Sequence, residues 1–427
     1  MSSSARLRAW FDLGDDEGFP LEGLPYGVFR APGRSRSRVG VALGPYALDL
    51  DVLAQRGLFA DLLGDPAFFA GNLDRFVRAG AARWIAVRAR LQALLREGGE
   101  PAMRDDPEVL ERALVRRSEV ELVLPVSIGD YVDFYASLEH ATTVGKIFRP
   151  GDEPLAPNWR WMPVGYHGRA GTIVVGGSTV RRPCGQRLEP GASEPAFGPS
   201  RRLDVELELA ALVGDGPPLG TPIPLARARE HIFGVALFAD WSARDLQTWE
   251  ARPLGPFLSK SFASSLGPWV LPLEALEPYR VAGPPQEPAP LAYLHEPEPR
   301  GYELRFELAL ASAAMRERGL RPQVLSRPRF AAMYWSLAQQ LAHLTSNGAN
   351  LRAGDLLASG TISSDGPLGA GSLLELSWGG RDRIALADGT TRAFLEDGDE
   401  IVLRGWAEHG DLPGLSLGEL RGRIAAA

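Results

Sequence analysis

The chain has 427 residues, a formal net charge of −7 and a single cysteine, Cys184. One cysteine excludes an internal disulfide framework and any cysteine-rich zinc site, and the mild acidity gives no support to nucleic-acid binding. Two lysines, Lys146 and Lys260, stand against 44 arginines, so each is a candidate for work that a compact ammonium does and a planar guanidinium cannot.

At the start, MSSSARLRAWFDLGDDEG lacks the apolar stretch of a signal peptide. No run of about 18 apolar residues follows anywhere. Both point to a cytoplasmic protein with no membrane partner. Residues 18–50 read as β, with VGVAL and GPYALDL on either side of a Gly-Pro turn. Residues 73–97 read as one helix, with Leu73, Phe76, Val77, Trp84, Val87, Leu91, Leu94 and Leu95 at helical spacing. Its arginines suit either a solvated face, the helix packed on its own domain, or binding to membrane or acidic partners. A domain boundary is expected near residue 120. Beyond it TIVVGG, TVRRP, RLDVELELAALVG and HIFGVALFAD read as strands, and RFAAMYWSLAQQLAHL (329–344) as a helix stopped by SNG, with Gly348 in the left-handed position. The proline-rich stretch 277–300 reads as a surface loop, and the C-terminal region as strands joined by Asp-Gly turns.

Several segments carry chemistry. Strand periodicity puts Asp204, Glu206 and Glu208 on one face, which suits either a solvated edge strand or a face turned to a hard cation. HIFGVALFADWSARDLQTWE runs an apolar strand into Asp240. Ser242 and Asp245 then read as a helix start. Arg244 and Gln247 share a helix face and pair a cation with an amide, a donor set for an oxyanion. Asp133, Tyr135, His140 and Arg149 crowd into a short span, and His140 has the chemistry of a general base. Lys260 follows a Gly-Pro turn, and Thr361 lies in a Gly-flanked turn. Glu375, read inside an apolar strand, needs a buried partner, for which His140 qualifies. GxxxxGK[ST], HExxH and GxGxxG motifs are absent from the sequence, so nucleotide chemistry has no support.

DFYASLEHATTVGKIFRP, APNWRWMPVGYHGRAGTIVVGGSTVRRPCGQ, LDVELELA, EHIFGVALFADWSARDLQTWE, LGPFLSKSF and LLASGTIS, in that order, resemble the fumarylacetoacetate hydrolase family, as do FPLEGLPYGVF and RVGVALG near the start. The resemblance implies a mainly β (α+β) fold, with a small SH3-like β-barrel and helical linker over 1–120 and a larger β-roll catalytic domain over 121–427. It implies a homodimer that hydrolyses the carbon–carbon bond of 4-fumarylacetoacetate, a β-diketo acid, in tyrosine and phenylalanine degradation. The metal ligands, for Mg²⁺ or Ca²⁺, fall on Asp133, Glu206, Glu208 and Asp240, with Ser264 and the Lys260 backbone beside them. The general base falls on His140, oriented by Glu375. The oxyanion donors fall on Arg244, Gln247 and Lys260, and the substrate contacts on Tyr135, Arg149, Tyr166, Gln247 and Thr361. Asp204 lies outside this ligand set. The chain departs from the family pattern at Ala251, where a substrate-touching tyrosine is usual, and at Ser264, which keeps the hydroxyl of a usual threonine. Two other readings fit parts of the pattern. One is a hydrolase of a different β-diketo acid. The other is a non-catalytic metal-binding β-protein, which has no need of His140, Glu375 or Lys260.

Overall fold

The computed structural model describes residues 6–14, 18–33 and 35–427. Two sheets organise it. The larger has 13 strands, and its main path runs Leu114–Arg116, Tyr46–Asp49, Arg38–Leu43, Tyr26–Arg30, Trp269–Pro272, Ile232–Ala243, Leu203–Val213, Leu356–Ala358, Tyr131–Phe134, Gly165–His167. A five-stranded sheet carries Gln323–Ser326, Leu304–Ala311, Glu400–Ala407, Leu415–Ala425 and Thr179–Arg181. The alternation of the acidic strand explains the packing. Val205, Leu207, Leu209 and Ala211 enter one core with Leu237, Phe306, Leu308, Leu403 and Leu417 from both sheets, which leaves the carboxylates on the other face.

The strands of the first 120 residues do not close into a barrel. Tyr26 and Gly27 pair with Val270 and Trp269, so the N-terminal meander continues into the sheet that carries the acidic strand. The expected SH3-like barrel is therefore replaced, among the described residues, by an open meander built onto a larger sheet. The fold is mixed α/β and dominated by sheet.

Four local expectations also change. The helix expected over 73–97 is two, Asp74–Arg78 and Ala81–Leu95. Gly80, at φ +83°, turns the chain between them. The apolar residues named there are nonetheless all buried, and Arg88 turns inward to donate to the Glu22 carbonyl. The helix expected over 329–344 is a 3-10 turn, Phe330–Ala332, then Leu337–Thr345. Ser336 starts the second helix through a capping box with Gln339. Ser242 belongs to a strand rather than a cap, and the helix Arg244–Glu250 starts from Ala243. Glu375 lies on the helical turn Leu373–Leu376, capped by the Ser372 side chain, and not in a strand.

Candidate active site

Register brings the carboxylates together. Glu206 pairs with Asp240 across the two long strands, and Asp240 pairs with Ser264 on its other side. The strand Leu356–Ala358 separates the acidic strand from Asp133, but it is only three residues long. Beyond it the chain turns at Gly360, φ +74°, where an added Cβ would stand 2.1 Å from the Phe134 carbonyl oxygen. No side-chain-bearing residue fits that approach. The turn sends the Gly360 N–H to Glu208 Oε2 at 3.1 Å and places Thr361 on the cavity wall.

Asp133, Glu206, Glu208 and Asp240 are all buried and offer ligand atoms within 4.8 Å of one another. Four carboxylates at that spacing repel, and burial adds to the cost of charging them. Burial first, then the neighbouring Asp240, raises Asp133 well above the usual carboxylate range, while burial and then Asp133 do the same for Glu208. Glu206 behaves oppositely. Burial pushes it up, but Arg244 and Lys260 outweigh burial and hold it well below. Asp133 Oδ1 and Glu208 Oε1 are buried with no hydrogen-bond partner. An all-oxygen donor set with two unsatisfied lone-pair sites fits a hard divalent cation. The edge-strand reading of the acidic strand fails, because every residue of Leu203–Val213 is buried.

Beside the cluster, His140 sits on the helix Leu138–Phe148, capped by Ser137 Oγ, which accepts from the His140 N–H at 3.2 Å. Its Nδ1 lies 2.8 Å from Glu375 Oε2 and its Nε2 3.5 Å from Glu206 Oε1. Burial pulls the ring's pKa down, but Glu375 and then Glu206 carry it up to about 9. Ser372 Oγ and Ser363 Oγ donate to Glu375 Oε2 at 2.8 and 3.1 Å, and the Tyr135 ring stands edge-on to the imidazole at 5.5 Å.

Arg244 reaches Asp204 Oδ2 at 2.9 Å, Glu206 Oε1 at 2.8 Å and Gln247 Oε1 at 3.1 Å. The Lys260 ammonium donates to both Glu206 and Asp240. Tyr166 donates to Asp133 Oδ2 at 2.9 Å and Ser264 Oγ to Asp240 Oδ1 at 3.1 Å. A cavity of about 670 Å³ is lined by Asp133, Tyr135, His140, Arg149, Tyr166, Glu206, Glu208, Arg244, Gln247, Lys260 and Thr361, while Glu375 stands behind His140, Asp240 behind Lys260 and Ser264 behind Asp240. Lys146 is exposed on the helix surface.

Sequence reasoning missed the supports. Asp204 accepts from the Leu373 and Leu374 N–H groups at 2.8 and 3.0 Å. It thereby ties Arg244 to the turn that carries Glu375. Ser372-x-x-Glu375 was readable as a capping pattern, but nothing in the spacing signalled Asp204 or Ser363.

The family profile "Fumarylacetoacetate (FAA) hydrolase C-terminal" matches residues 131–425, and "Fumarylacetoacetase N-terminal" matches 22–125. The chain belongs to the fumarylacetoacetate hydrolase family. The fumarylacetoacetases of Rattus norvegicus and Arabidopsis thaliana are each 44% identical to it over 98% of this chain and 99% of their own. Among solved structures, the fumarylacetoacetate hydrolase of psychrophilic Exiguobacterium antarcticum shares the fold, with a TM-score of 0.51 at 18% identity over 95% of this chain and 100% of that one.

Proposed function

We propose that this protein hydrolyses the carbon–carbon bond of 4-fumarylacetoacetate to fumarate and acetoacetate, the last step of tyrosine and phenylalanine degradation. One observation carries the reading. His140, backed by Glu375, faces the same cavity as Asp133, Glu206 and Glu208 of the four-carboxylate cluster, in a chain that aligns end to end with fumarylacetoacetases.

A divalent cation held by Asp133, Glu206, Glu208 and Asp240, Mg²⁺ or Ca²⁺ by the hardness of the donors, supplies Lewis-acid polarisation of the diketone oxygens. Glu375 fixes the imidazole through Nδ1 and leaves Nε2 to face the cavity. His140 Nε2 takes a proton from water, and the water oxygen bonds to the carbonyl carbon next to the fumaryl group. Arg244, Gln247 and Lys260 stabilise the oxyanion that forms. The carbon–carbon bond then breaks, and the proton on His140 goes to the departing acetoacetate carbon. Arg149, Tyr135, Tyr166, Gln247 and Thr361 bind the substrate. Ser264, whose Oγ donates to the ligand Asp240, and the Lys260 backbone complete the metal site.

The larger part of the chain, from residue 121, is the catalytic β-roll, and the profile matches on either side of residues 125–131 support that division. The enzyme works as a cytoplasmic homodimer. Exposed Phe197 on the hairpin Cys184–Arg187/Ala196–Pro199, and Leu188 next to it, support a second copy covering them, and a lone cysteine suits a reducing compartment. No helix of the described residues is long and apolar enough to cross a membrane.

The test is turnover of fumarylacetoacetate by metal-supplemented protein. Chelator abolishes it and added Mg²⁺ restores it. His140→Ala loses about 10²–10⁴-fold in rate while keeping the wild-type circular dichroism. Wild-type protein that leaves the substrate intact with metal present overturns the reading.

A further inference from the structure

Four cationic side chains line the catalytic cavity: Arg149, Arg244, Arg252 and Lys260. Three are engaged. Arg244 is shared among Asp204, Glu206 and Gln247. Lys260 lies between Glu206 and Asp240. Arg149 Nη2 donates to the Pro154 carbonyl at 2.6 Å. Arg252 alone has no acceptor among the described residues.

Its backbone, by contrast, is fixed. Arg252 rides on the loop between the helix Arg244–Glu250 and the turn Leu258–Ser261. The Glu250 carboxylate closes that loop by accepting from the N–H groups of Phe257, Leu258 and Ser259 at 2.8, 3.0 and 2.8 Å. The Gly255 N–H bonds back to the Ala251 carbonyl at 2.7 Å. The neighbouring Ala251 brings no polar side-chain atom to the wall. A guanidinium with an anchored root and no internal partner is pre-placed for a ligand anion, which it meets with two parallel bonds.

The substrate supplies that anion. The diketo acid carries two carboxylates into a cavity that Asp133, Glu206 and Glu208 already line with carboxylates of their own. We propose that Arg252 is a substrate-binding residue that takes one carboxylate of the diketo acid at the cavity mouth, while Arg149 takes the other. This assignment rests on a dianionic substrate, and so on the function proposed above.

The test uses the full-length, metal-loaded protein with Arg252→Gln and Arg252→Lys. Arg252→Gln raises KM for fumarylacetoacetate about tenfold and changes kcat by less than twofold. Arg252→Lys recovers part of the loss. Titration calorimetry with fumarate and with acetoacetate reads the contact without turnover, and one of the two binds about tenfold more weakly to Arg252→Gln. Wild-type protein that binds neither product, or an Arg252→Gln protein that binds both as wild type does, overturns the assignment. Wild-type protein that binds the products but does not hydrolyse fumarylacetoacetate refutes the function instead.

Discussion

Lys260 holds its ammonium against Glu206 and Asp240 at 7% exposure, while Lys146 stands in solvent. The two lysines of an arginine-rich chain thus occupy opposite environments. A guanidinium at position 260 keeps the charge but needs more room than two closely spaced carboxylates leave, and it presents a planar fork where a point donor fits. Lys260→Arg is expected to lower kcat about 10²–10³-fold, and Lys146→Arg to leave it within twofold; steady-state kinetics on both variants decides. The same cluster links protons to metal. With metal removed, burial and then Asp240 raise Asp133 well above the usual carboxylate range, burial and then Asp133 do the same for Glu208, and His140 is raised to about 9. His140 therefore holds a proton near neutral pH, and the two carboxylates give theirs up at higher pH than ordinary ones. Cation binding requires free carboxylates and offsets the negative charge of Glu206 beside the ring. Metal binding at pH 7 is thus expected to release protons, with affinity rising as pH rises and the release fading above about pH 9, where His140 is already neutral. Calorimetric titration of Mg²⁺ in buffers of different ionisation enthalpy measures this. A binding heat independent of buffer contradicts it.

Short elements with special backbone carry the cluster's geometry. Gly360 is one such case, with a left-handed φ of +74° and carbonyl backbone 2.1 Å from where a Cβ would stand. Gly360→Ala must move backbone on both sides, shifting Thr361 and the N–H given to Glu208. A loss of at least about 2 kcal/mol is expected, together with weaker metal binding, read by chemical denaturation with and without Mg²⁺. Such turns also mark the limit of what the sequence discloses. Period-two alternation located Glu206, Glu208 and the long strands, because a strand buried on one core must alternate. Residue identity alone could not say that Asp204 would serve as an anchor and Glu206 as a member of the cluster, since both lie on the same face. The helices failed where apolar spacing ran on through a break. Gly80 and Ser336 end one element and begin another, yet the buried residues around them keep helical intervals. Glu375 misled because LLEL reads equally as an apolar strand or a capped turn. Only the Ser372 cap and the Asp204 carboxylate, distant in sequence, decide it.

The two sequence-matched parts of the chain share one sheet and one core, which governs how the molecule unfolds. Tyr26 and Gly27 pair with Val270 and Trp269, and Gly27 is needed because a Cβ there would stand 2.6 Å from the Trp269 ring. Beneath that seam, Tyr26, Phe76 and Trp84 pack their rings on Phe233 at 5.2–5.6 Å between centroids. The same cluster takes in Ala210, Leu212, Phe238 and Leu356 from the strands that carry the active site. Cutting at residue 120 would strip the first part of the ring it packs against and leave an unpaired strand edge, which favours association over independent folding. The N-terminal part is therefore expected to melt with the catalytic part in a single calorimetric transition. Trp84→Ala, which empties a buried site on one side of the seam, should cost about 3–5 kcal/mol. It should move that whole transition down without splitting it, and leave kcat near wild type at temperatures where the variant is folded. A separate low-temperature peak in Trp84→Ala, with the main peak unmoved, would show that the seam does not couple the two parts.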